Sequence, residues 1–544
     1  MRNVFALCYA GAAFAMCAPS AHAEDPLGFT WQSGMRYWQS TGNTKFAHFS
    51  SLDGSLLGPA IWNDVAGSSA ETYFRGDNSS GLFVKGNLGG GSLTDGERVD
   101  DFSRFGSVPL SSARSGSIDY FSGDIGYSFL DTGSVKVGGF VGYSRWHETM
   151  NAFGCEQTSV SSFCRPAILG GNLFDAHEFE WSSWRIGLSG KFDLTPELWI
   201  DADAAYLAGT ALVGIASYGL SQDGSVENPL NGKGGDGAQF EASLNYRMSD
   251  ALSLGIGGRY WRQNLMDVVR NRDASGGLPQ LTTLESERFG LFAQGTLKLD
   301  ENLFGGSLKD GGPVASDWSG AYGGIFLGQG TGSGSADFSG DPFTEFLIDT
   351  GGFARSVDVN RRGVIAGVEA GYNLIAGEFL LGIEGDAAWT PVAGVGELTR
   401  VTFFPFGPPR LVSTTAEQSS TWLATLRARA GFKVTEKLLV YGTGGLAVGD
   451  TRLTTNLTIV SGNFGCDPGS CFEAVSEGVR AGFALGAGYE YEIAPGTHWK
   501  TDYLYTDLGK RTARIIDPAD ATLFYEGTAE FQTHSVRTAI VFDF

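Results

Sequence analysis

The sequence predicts an all-β protein made of two tandem transmembrane antiparallel up-and-down β-barrels, the first with about ten strands and the second with eight. Three observations support this: segments that alternate between apolar and polar residues, links that alternate between short and long, and a composition rich in glycine and aromatic residues. Glycine accounts for 80 of the 544 residues and aromatic residues for 12 %. Strands that face lipid on one side and a polar interior on the other give this pattern, and the mean hydropathy accordingly lies near zero.

Residues 1–23 have the features of a secretory signal peptide. Arg2 precedes an apolar run from Val4 to Met16, and Ala21-His22-Ala23 supplies the small residues of a cleavage site. The run is shorter than the roughly 20 apolar residues that a spanning helix needs. We therefore predict an exported mature chain that begins at Glu24.

Ten alternating segments in residues 24–299 predict the first barrel. In the seventh, Leu198, Ile200 and Ala202 point to one side, while Asp201 and Asp203 point to the other. Short periplasmic turns and long outer loops are typical of outer-membrane barrels. The predicted long links fall near residues 41–68, 91–116, 150–176, 210–238 and 265–285. A soluble β-sandwich would not show this asymmetry of link length.

Residues 300–316 interrupt the alternation with four glycines and Pro313, which predicts a periplasmic linker. The alternation then resumes over residues 317–544 for eight more segments. The last segment ends on Phe544, and a terminal aromatic residue on an alternating strand is the usual signal for the barrel-assembly machinery. We therefore expect that machinery to be a partner of the last strand, and we expect the whole chain to lie in the cell outer membrane.

Four sequence blocks in the second half carry a family resemblance. They are Asp317-Trp-Ser-Gly-Ala-Tyr-Gly-Gly, Leu439-Val-Tyr-Gly-Thr-Gly-Gly-Leu-Ala-Val, Gly486-Ala-Gly-Tyr-Glu-Tyr and Asp502-Tyr-Leu-Tyr-Thr-Asp-Leu-Gly509. This half resembles the small surface antigens with the OmpA-like eight-stranded fold, often labelled "porin family". The resemblance implies a lumen filled by side chains.

Charged residues on the inner faces of the predicted strands agree with a filled lumen. In the second half, Glu369, Glu384 and Asp386 face the same interior as Arg427 and Arg429, which predicts an ion network because unpaired charges there would be costly. The corresponding inward residues of the first half are Arg185, Lys191, Arg247, Arg259 and Arg288, which can meet Asp201, Asp203 and Glu241.

The first half more weakly resembles the omptins, which are ten-stranded outer-membrane proteases. The resemblance lies in strand count, loop rhythm and the strings Gly142-Tyr143, Trp184-Arg-Ile-Gly-Leu-Ser-Gly190 and Leu207-Ala-Gly209. Omptins carry two aspartates in the second outer loop, where this chain has Asp100 and Asp101. They also hold lipopolysaccharide through Tyr-x-Glu-x-Arg on strand five, where this chain reads Tyr143-Ser-Arg145-Trp-His147 and lacks the acidic member.

The omptin resemblance further implies an Asp-x-His pair at the fourth loop, yet no histidine lies between Thr210 and Ala238. Without an imidazole the proposed chemistry lacks its general base. Asp175-Ala176-His177 is the alternative pair, but it lies at the start of strand six. We therefore interpret Asp175 and His177 as a solvated loop end and Asp100-Asp101 as part of an acidic outer loop.

The four cysteines beyond the signal form two close pairs, Cys155 with Cys164 and Cys466 with Cys471. Both pairs lie in Gly/Ser-rich segments of an exported chain, so we expect two short disulfides. No histidine accompanies either pair, which argues against a metal site. Cys17 is a poor lipoprotein cysteine because a better cleavage site lies just downstream.

The formal net charge of −22 argues against nucleic acid as a partner. We predict no catalytic, cofactor-binding or metal-binding residues, no enzymatic activity, and outer-membrane lipid and lipopolysaccharide as partners. The favoured hypothesis is a structural or surface-interaction role. The alternatives are an omptin-like endopeptidase in the first barrel, or a porin-type channel if both halves merge into one 18-stranded barrel.

Overall fold

The computed structural model describes residues 29–49, 56–101, 109–157, 168–218, 227–250, 252–270, 280–299, 318–402, 410–460 and 471–544. These residues form two closed antiparallel barrels, of ten and eight strands, which confirms the predicted fold class. The predicted signal peptide at residues 1–23 and the predicted linker at residues 300–316 lie outside the described residues.

The first barrel runs up and down through ten consecutive strands. They are β1 (Phe29–Phe49), β2 (Leu56–Asn78), β3 (Leu82–Asp100), β4 (Pro109–Asp131), β5 (Val135–Gln157), β6 (Ile168–Asp193), β7 (Leu198–Tyr218), β8 (Glu227–Arg247), β9 (Leu252–Arg270) and β10 (Gln280–Leu299). β1 pairs with both β2 and β10, with Trp38 opposite Phe292, and this pairing closes the barrel.

The second barrel repeats this arrangement with eight strands and one short helix. They are β11 (Gly320–Gly340), α1 (Pro342–Asp349), β12 (Ser356–Ala376), β13 (Phe379–Thr402), β14 (Arg410–Thr435), β15 (Leu438–Val460), β16 (Cys471–Ala494), β17 (Thr497–Ile516) and β18 (Phe524–Asp543). β11 pairs with β18, with Ile325 opposite Ile540. The halves therefore close separately, and the described strands do not form a single 18-stranded barrel.

Aromatic side chains on the outer face of the first barrel mark a lipid-facing band. Those nearer the periplasmic turns are Trp31, Tyr127, Phe192 and Tyr246, and those nearer the outside are Phe121, Tyr143, Trp184, Tyr206, Tyr260 and Phe289. On the outer side, the Tyr143 ring packs edge to face on Trp184 with centroids 5.6 Å apart. Two such girdles around an apolar belt are the expected signature of a transmembrane barrel.

The strands extend well beyond this band. They are 19 to 26 residues long in the first barrel, whereas about 9–11 residues cross a bilayer. The long loops predicted near residues 41–68, 91–116, 150–176, 210–238 and 265–285 were therefore wrong, since most of the described residues there continue the strands. Beyond the membrane the outer face meets water, so a strand no longer needs alternating apolar residues, and the sequence pattern fades before the strand ends.

Helix α1 begins the outer connection between β11 and β12. The side chain of Asp341 caps it by accepting hydrogen bonds from the backbone N–H groups of Phe343 and Thr344, at 2.9 and 3.3 Å. Leu347 and Ile348 of the helix are buried in the apolar core at the outer end of the second barrel. In the described part of the chain, no helix is long and apolar enough to cross a membrane.

Candidate functional site

The lumen of the first barrel contains a group of two arginines and two glutamates at mid-height, of which Glu241 is partly exposed and the other three are buried. Glu71 accepts from Arg259 at 2.6 Å and from Arg36 at 2.9 Å. Arg259 also pairs with Glu241 at 2.7 Å, which is one of the pairings that the sequence analysis allowed. The charges balance within the group, so each ion that is removed from water has a counter-ion in direct contact.

An aromatic layer lies directly beside this ion group. The Trp261 ring packs against Trp38, Tyr120 and Trp146 with centroids 4.9, 4.8 and 5.6 Å apart. The Arg259 guanidinium lies 4.8 Å from the Trp261 ring centroid. A small cavity that Tyr120, Trp146 and Trp261 help to line measures about 40 Å³, which holds only a few water molecules.

The other predicted ions of this lumen find partners that differ from the expected ones. Arg185 binds Asp124 at 2.7 Å, and Lys85 binds Asp203 at 2.5 Å. Lys191 pairs with Asp193 at 3.3 Å near a periplasmic turn, where Arg247 is exposed. Arg288 is buried and donates to the hydroxyl of Ser40 and the backbone carbonyl of Val65 at 3.2 and 3.1 Å. Asp201 accepts from Asn245 and Trp199 at 3.0 and 2.9 Å.

At the outer end of this lumen, the structure brings together Asp100, Asp175 and His177 around Arg98. Arg98 binds Asp100 at 2.8 Å and contacts Asp175, and its Nη1 lies 3.2 Å from Nε2 of His177. The interpretation of Asp100 as part of a solvated acidic loop, and of Asp175 and His177 as a solvated loop end, is therefore wrong. These residues lie on extended strands whose inner face is buried, and His177 is only 2 % exposed. Asp101, just beyond, is partly exposed at the end of β3.

The hydrogen bonds of His177 define what its ring can do. Trp62 Nε1 donates to Nδ1 of His177 at 3.1 Å, so Nδ1 acts as the acceptor. A neutral ring then carries its proton on Nε2, which faces Asp175 Oδ2 at 3.2 Å. Both ring nitrogens are occupied by protein groups, and the Arg98 guanidinium fills the space between the two aspartates.

The lumen of the second barrel contains the predicted ion network. Arg427 binds Glu384 and Asp386 at 2.5 and 2.6 Å, and Arg429 lies 3.3 Å from the second carboxylate oxygen of Glu384. Glu369 completes the set through Lys500, at 3.0 Å. All five predicted residues are therefore brought together inside this barrel.

Four further members of this network were not predicted from the sequence. Lys500 also contacts Glu384, Asp502 accepts from Arg537 at 2.8 Å, and Glu490 accepts from Arg429 at 2.5 Å. Lys500 and Asp502 alternate along β17, which was a usable signal. Carboxylate oxygens of Glu369, Glu384 and Asp502 lie within 4.8 Å of one another. The Lys500 ammonium already supplies a cation to these carboxylates.

Beyond this network, the outer end of the second barrel is filled by apolar side chains. Phe338 stacks on Tyr525 with centroids 4.7 Å apart, and Phe353 packs on the same ring at 5.4 Å. Val357, Val359 and Phe531 belong to the same buried core. Cys155 and Cys471 are each disulfide-bonded, while Cys164 and Cys466 lie outside the described residues, so the predicted pairing stays a prediction.

Two closed antiparallel barrels with outward apolar belts and charged, filled interiors define an outer-membrane β-barrel protein. Residues 310–544 match the family described as "Outer membrane protein beta-barrel domain". The 31 kDa outer-membrane immunogenic protein of Brucella melitensis is 34 % identical over 257 residues, which cover 47 % of this chain and 95 % of that protein. The protein of the same name from Brucella suis matches to the same extent. The chain belongs to this outer-membrane β-barrel family, as the second half of the sequence indicated, and it is a protein of the outer membrane.

Among solved structures, the outer-membrane protease OmpT from Escherichia coli aligns with 51 % of this chain and 99 % of its own, at 13 % identity and a TM-score of 0.43. Ail, the attachment invasion locus protein of Yersinia pestis, aligns with 40 % of this chain and 99 % of its own, at 17 % identity and a TM-score of 0.17.

Proposed function

We propose that this protein is a closed, non-catalytic barrel protein with a structural or surface-recognition role at the outer membrane. The observation that supports this most directly is the content of the two lumens. The first is filled by an ion group, a layer of four aromatic rings and the Arg98 cluster. The second is filled by an ion network and an apolar core.

The Arg98 cluster supports the absence of proteolysis. A water-activating base needs a lone pair directed at the water, within about 2.6–3.2 Å. The Nδ1 atom of His177 accepts from Trp62 instead, and Nε2 faces Asp175. Arg98 neutralises the carboxylates that would otherwise position the water. The cluster contains the aspartates and the histidine that a protease of this kind would use, but these side chains contact Arg98 and one another as a buried ion cluster.

The strands that extend beyond the membrane supply the surface for recognition. On their outer face, Arg145 pairs with Glu180, and Arg262 binds Glu285 at 2.5 Å. These charges lie just beyond the aromatic girdle, at the level where lipopolysaccharide presents its phosphates, and we propose lipopolysaccharide as the lipid partner there. The relatives from Brucella are named as immunogenic outer-membrane proteins, which agrees with a surface exposed to the outside.

The last strand supplies the proposed contact with the barrel-assembly machinery. The Phe544 side chain is 88 % exposed, so it is available to a partner. Its backbone N–H donates to the carbonyl of Ala321 at 2.9 Å, which keeps this end of the chain paired to β11 in the closed barrel.

Single-channel recording on the purified full-length protein in planar bilayers tests the closed state. We expect no discrete conductance steps, whereas stable steps in the folded protein would contradict the proposal. A fluorogenic peptide with paired basic residues, offered with lipopolysaccharide, tests catalysis. We expect no cleavage above background. Cleavage that disappears in Asp100→Ala or His177→Ala would establish a protease, whereas cleavage that persists in both variants comes from a contaminant and leaves the purified protein without activity of its own.

A further inference from the structure

The outer surfaces of the two barrels contact each other along one side. β11, β12 and β13 lie against β2, β3 and β4. Because Tyr120 and Arg361 point into their own barrels, the preceding Asp119 and the following Arg362 point outward. The side chains of Asp119 and Arg362 form an ion pair that joins the two barrels.

The first barrel presents a patch of small residues at this contact, which we call the socket: Ser68, Ala70, Gly90 and Ser92. These four residues are neighbours on β2 and β3, where Ser68 pairs with Ser92 and Ala70 pairs with Gly90. They alternate with lumen-facing residues and so point away from the lumen, yet all four are buried, with Ser92 only 3 % exposed. An outward residue beside the lipid is ordinarily exposed, so this burial needs a covering surface.

The second barrel supplies that surface through Gln329 and Val364. These two residues are paired across β11 and β12 and point outward, since the adjacent Gly328 and Ile365 face the lumen. Val364 is 0 % exposed although it lies on the outer face. A methyl group on Gly90 would overlap the side-chain amide of Gln329. The two barrels approach so closely here that the Gln329 side chain would have to move to admit even a methyl group.

A further contact lies near the periplasmic ends of the strands. Trp499 of β17 points outward, since the flanking His498 and Lys500 are turned to the inside, and it is nonetheless buried. A methyl group built on Gly295 of β10 would lie 4.0 Å from the Trp499 ring. The contact therefore extends from the periplasmic rim to the level of Asp119, above the outer girdle.

We propose that the two barrels of one chain dock side by side in the outer membrane as a fixed pair, with the second barrel seated on the socket of the first. Without a hydrophobic force between surfaces in lipid, association rests on close packing of small residues and on polar links. The socket supplies the close packing of small residues, and the Asp119–Arg362 pair supplies the polar link. The covalent connection keeps the effective concentration of the second barrel high, so this modest interface suffices for docking.

Cross-linking in intact cells tests this docking. The full chain carries the substitutions Asp119→Cys and Arg362→Cys and, within residues 300–316, a recognition site for a sequence-specific protease. A short bifunctional thiol reagent is then added to the cells. After lysis and cleavage at that site, we expect the two halves to migrate as one covalently joined species. As a control, Tyr206→Cys replaces Asp119→Cys. Tyr206 lies on the outer face of β7, away from the contact, and is well exposed. The cysteine pair Tyr206→Cys and Arg362→Cys should therefore not join the halves.

A second comparison separates docking from mere proximity. Gly90→Leu, added to the cysteine pair, should slow cross-linking roughly tenfold because the socket becomes overpacked. Gly123→Leu is the matched control, since Gly123 also points outward and nothing lies within 4 Å of a methyl group built there. Heat-modifiable migration confirms that each variant is folded. The proposal is overturned if the folded Asp119→Cys/Arg362→Cys protein does not link, if the Tyr206 control links equally, if Gly90→Leu has no effect, or if the product joins two chains instead of two halves.

Discussion

The lumens of the two barrels are filled by different kinds of side chain. In the second barrel, nine charged side chains form one network around Glu384 and Asp502. In the first barrel, smaller ion groups are separated by aromatic rings such as Trp38 and Trp261. Eight strands leave an interior just wide enough for side chains, and two more strands widen it. Large aromatic rings fill the additional width of the first barrel. The number of strands therefore decides which side chains can fill the lumen.

The sharpest test of this contrast is Glu384→Ala in the second barrel. The change removes one carboxylate that Arg427, Arg429 and Lys500 share, so each of these buried cations loses one of its direct carboxylate contacts. Breaking a buried network in this way costs about 3–5 kcal/mol. We expect that loss in the free energy of unfolding, measured by urea titration with heat-modifiable migration as the readout.

Glu477→Ala is the matched control for this variant, since Glu477 pairs with Arg452 at 3.2 Å on the exposed part of the same barrel. Exposed pairs contribute about 0–1 kcal/mol, so the control should stay close to the unmodified protein. Equal losses in the two variants would show that the network does not hold the second barrel together.

Trp261→Ala in the first barrel should have a smaller effect, because it removes packing and leaves no charge unpaired. Truncation of a buried tryptophan costs about 3–5 kcal/mol, and we expect the lower end because Trp38, Tyr120 and Trp146 can relax into the space. Trp184→Ala, on the lipid-facing side, is the control and should cost less. A loss in Trp261→Ala that exceeds the loss in Glu384→Ala would reverse the order that the two lumens suggest.

Much of this architecture could be predicted from sequence alternation alone. The pattern of β7 and β14 gave their inner and outer faces, and the inward charges of β12, β13 and β14 gave most of the second network. The pattern failed where the strands leave the membrane, since nothing there forces one face to be apolar. The strand extensions and the burial of Asp175 were therefore missed.

The Arg98 cluster shows a second limit of the sequence pattern. Arg98 with Asp100, and Asp175 with His177, are each two residues apart and so share one face of a strand. Their meeting depends on barrel closure, which joins Arg98 to a residue 79 positions away in the chain. Local alternation fixes the face of a residue but not the strand opposite it across the lumen. The ion partners of Arg185 and Asp203 were wrong for the same reason.

The smallest predicted effect concerns pH and lies on the outer face, beside the contact between the barrels. Burial alone would lower the pKa of His147, but hydrogen bonds to Asp119 and Glu178, at 2.7 and 3.2 Å, outweigh it and raise the pKa to about 9. The ordinary value for histidine is about 6.5. A group with a raised pKa contributes stability that is fully present below its unfolded value and is lost as the pH rises through its folded value. The contribution of His147 should therefore be complete below about pH 6.5 and disappear as the pH passes about 9.

His147→Gln keeps a hydrogen-bonding side chain but cannot carry the charge, so it isolates this contribution. We expect the variant to be less stable than the unmodified protein at pH 6 and equally stable above pH 10, with urea midpoints measured across this range. The difference at pH 6 should stay below those of the two lumen variants, because Glu178 is 45 % exposed and water screens the pair. His534→Gln serves as the control, since His534 contacts the hydroxyl of Tyr503 at 2.6 Å and not a carboxylate. A difference that persists unchanged at high pH, where His147 is neutral, would mean that the difference does not come from the charge of His147.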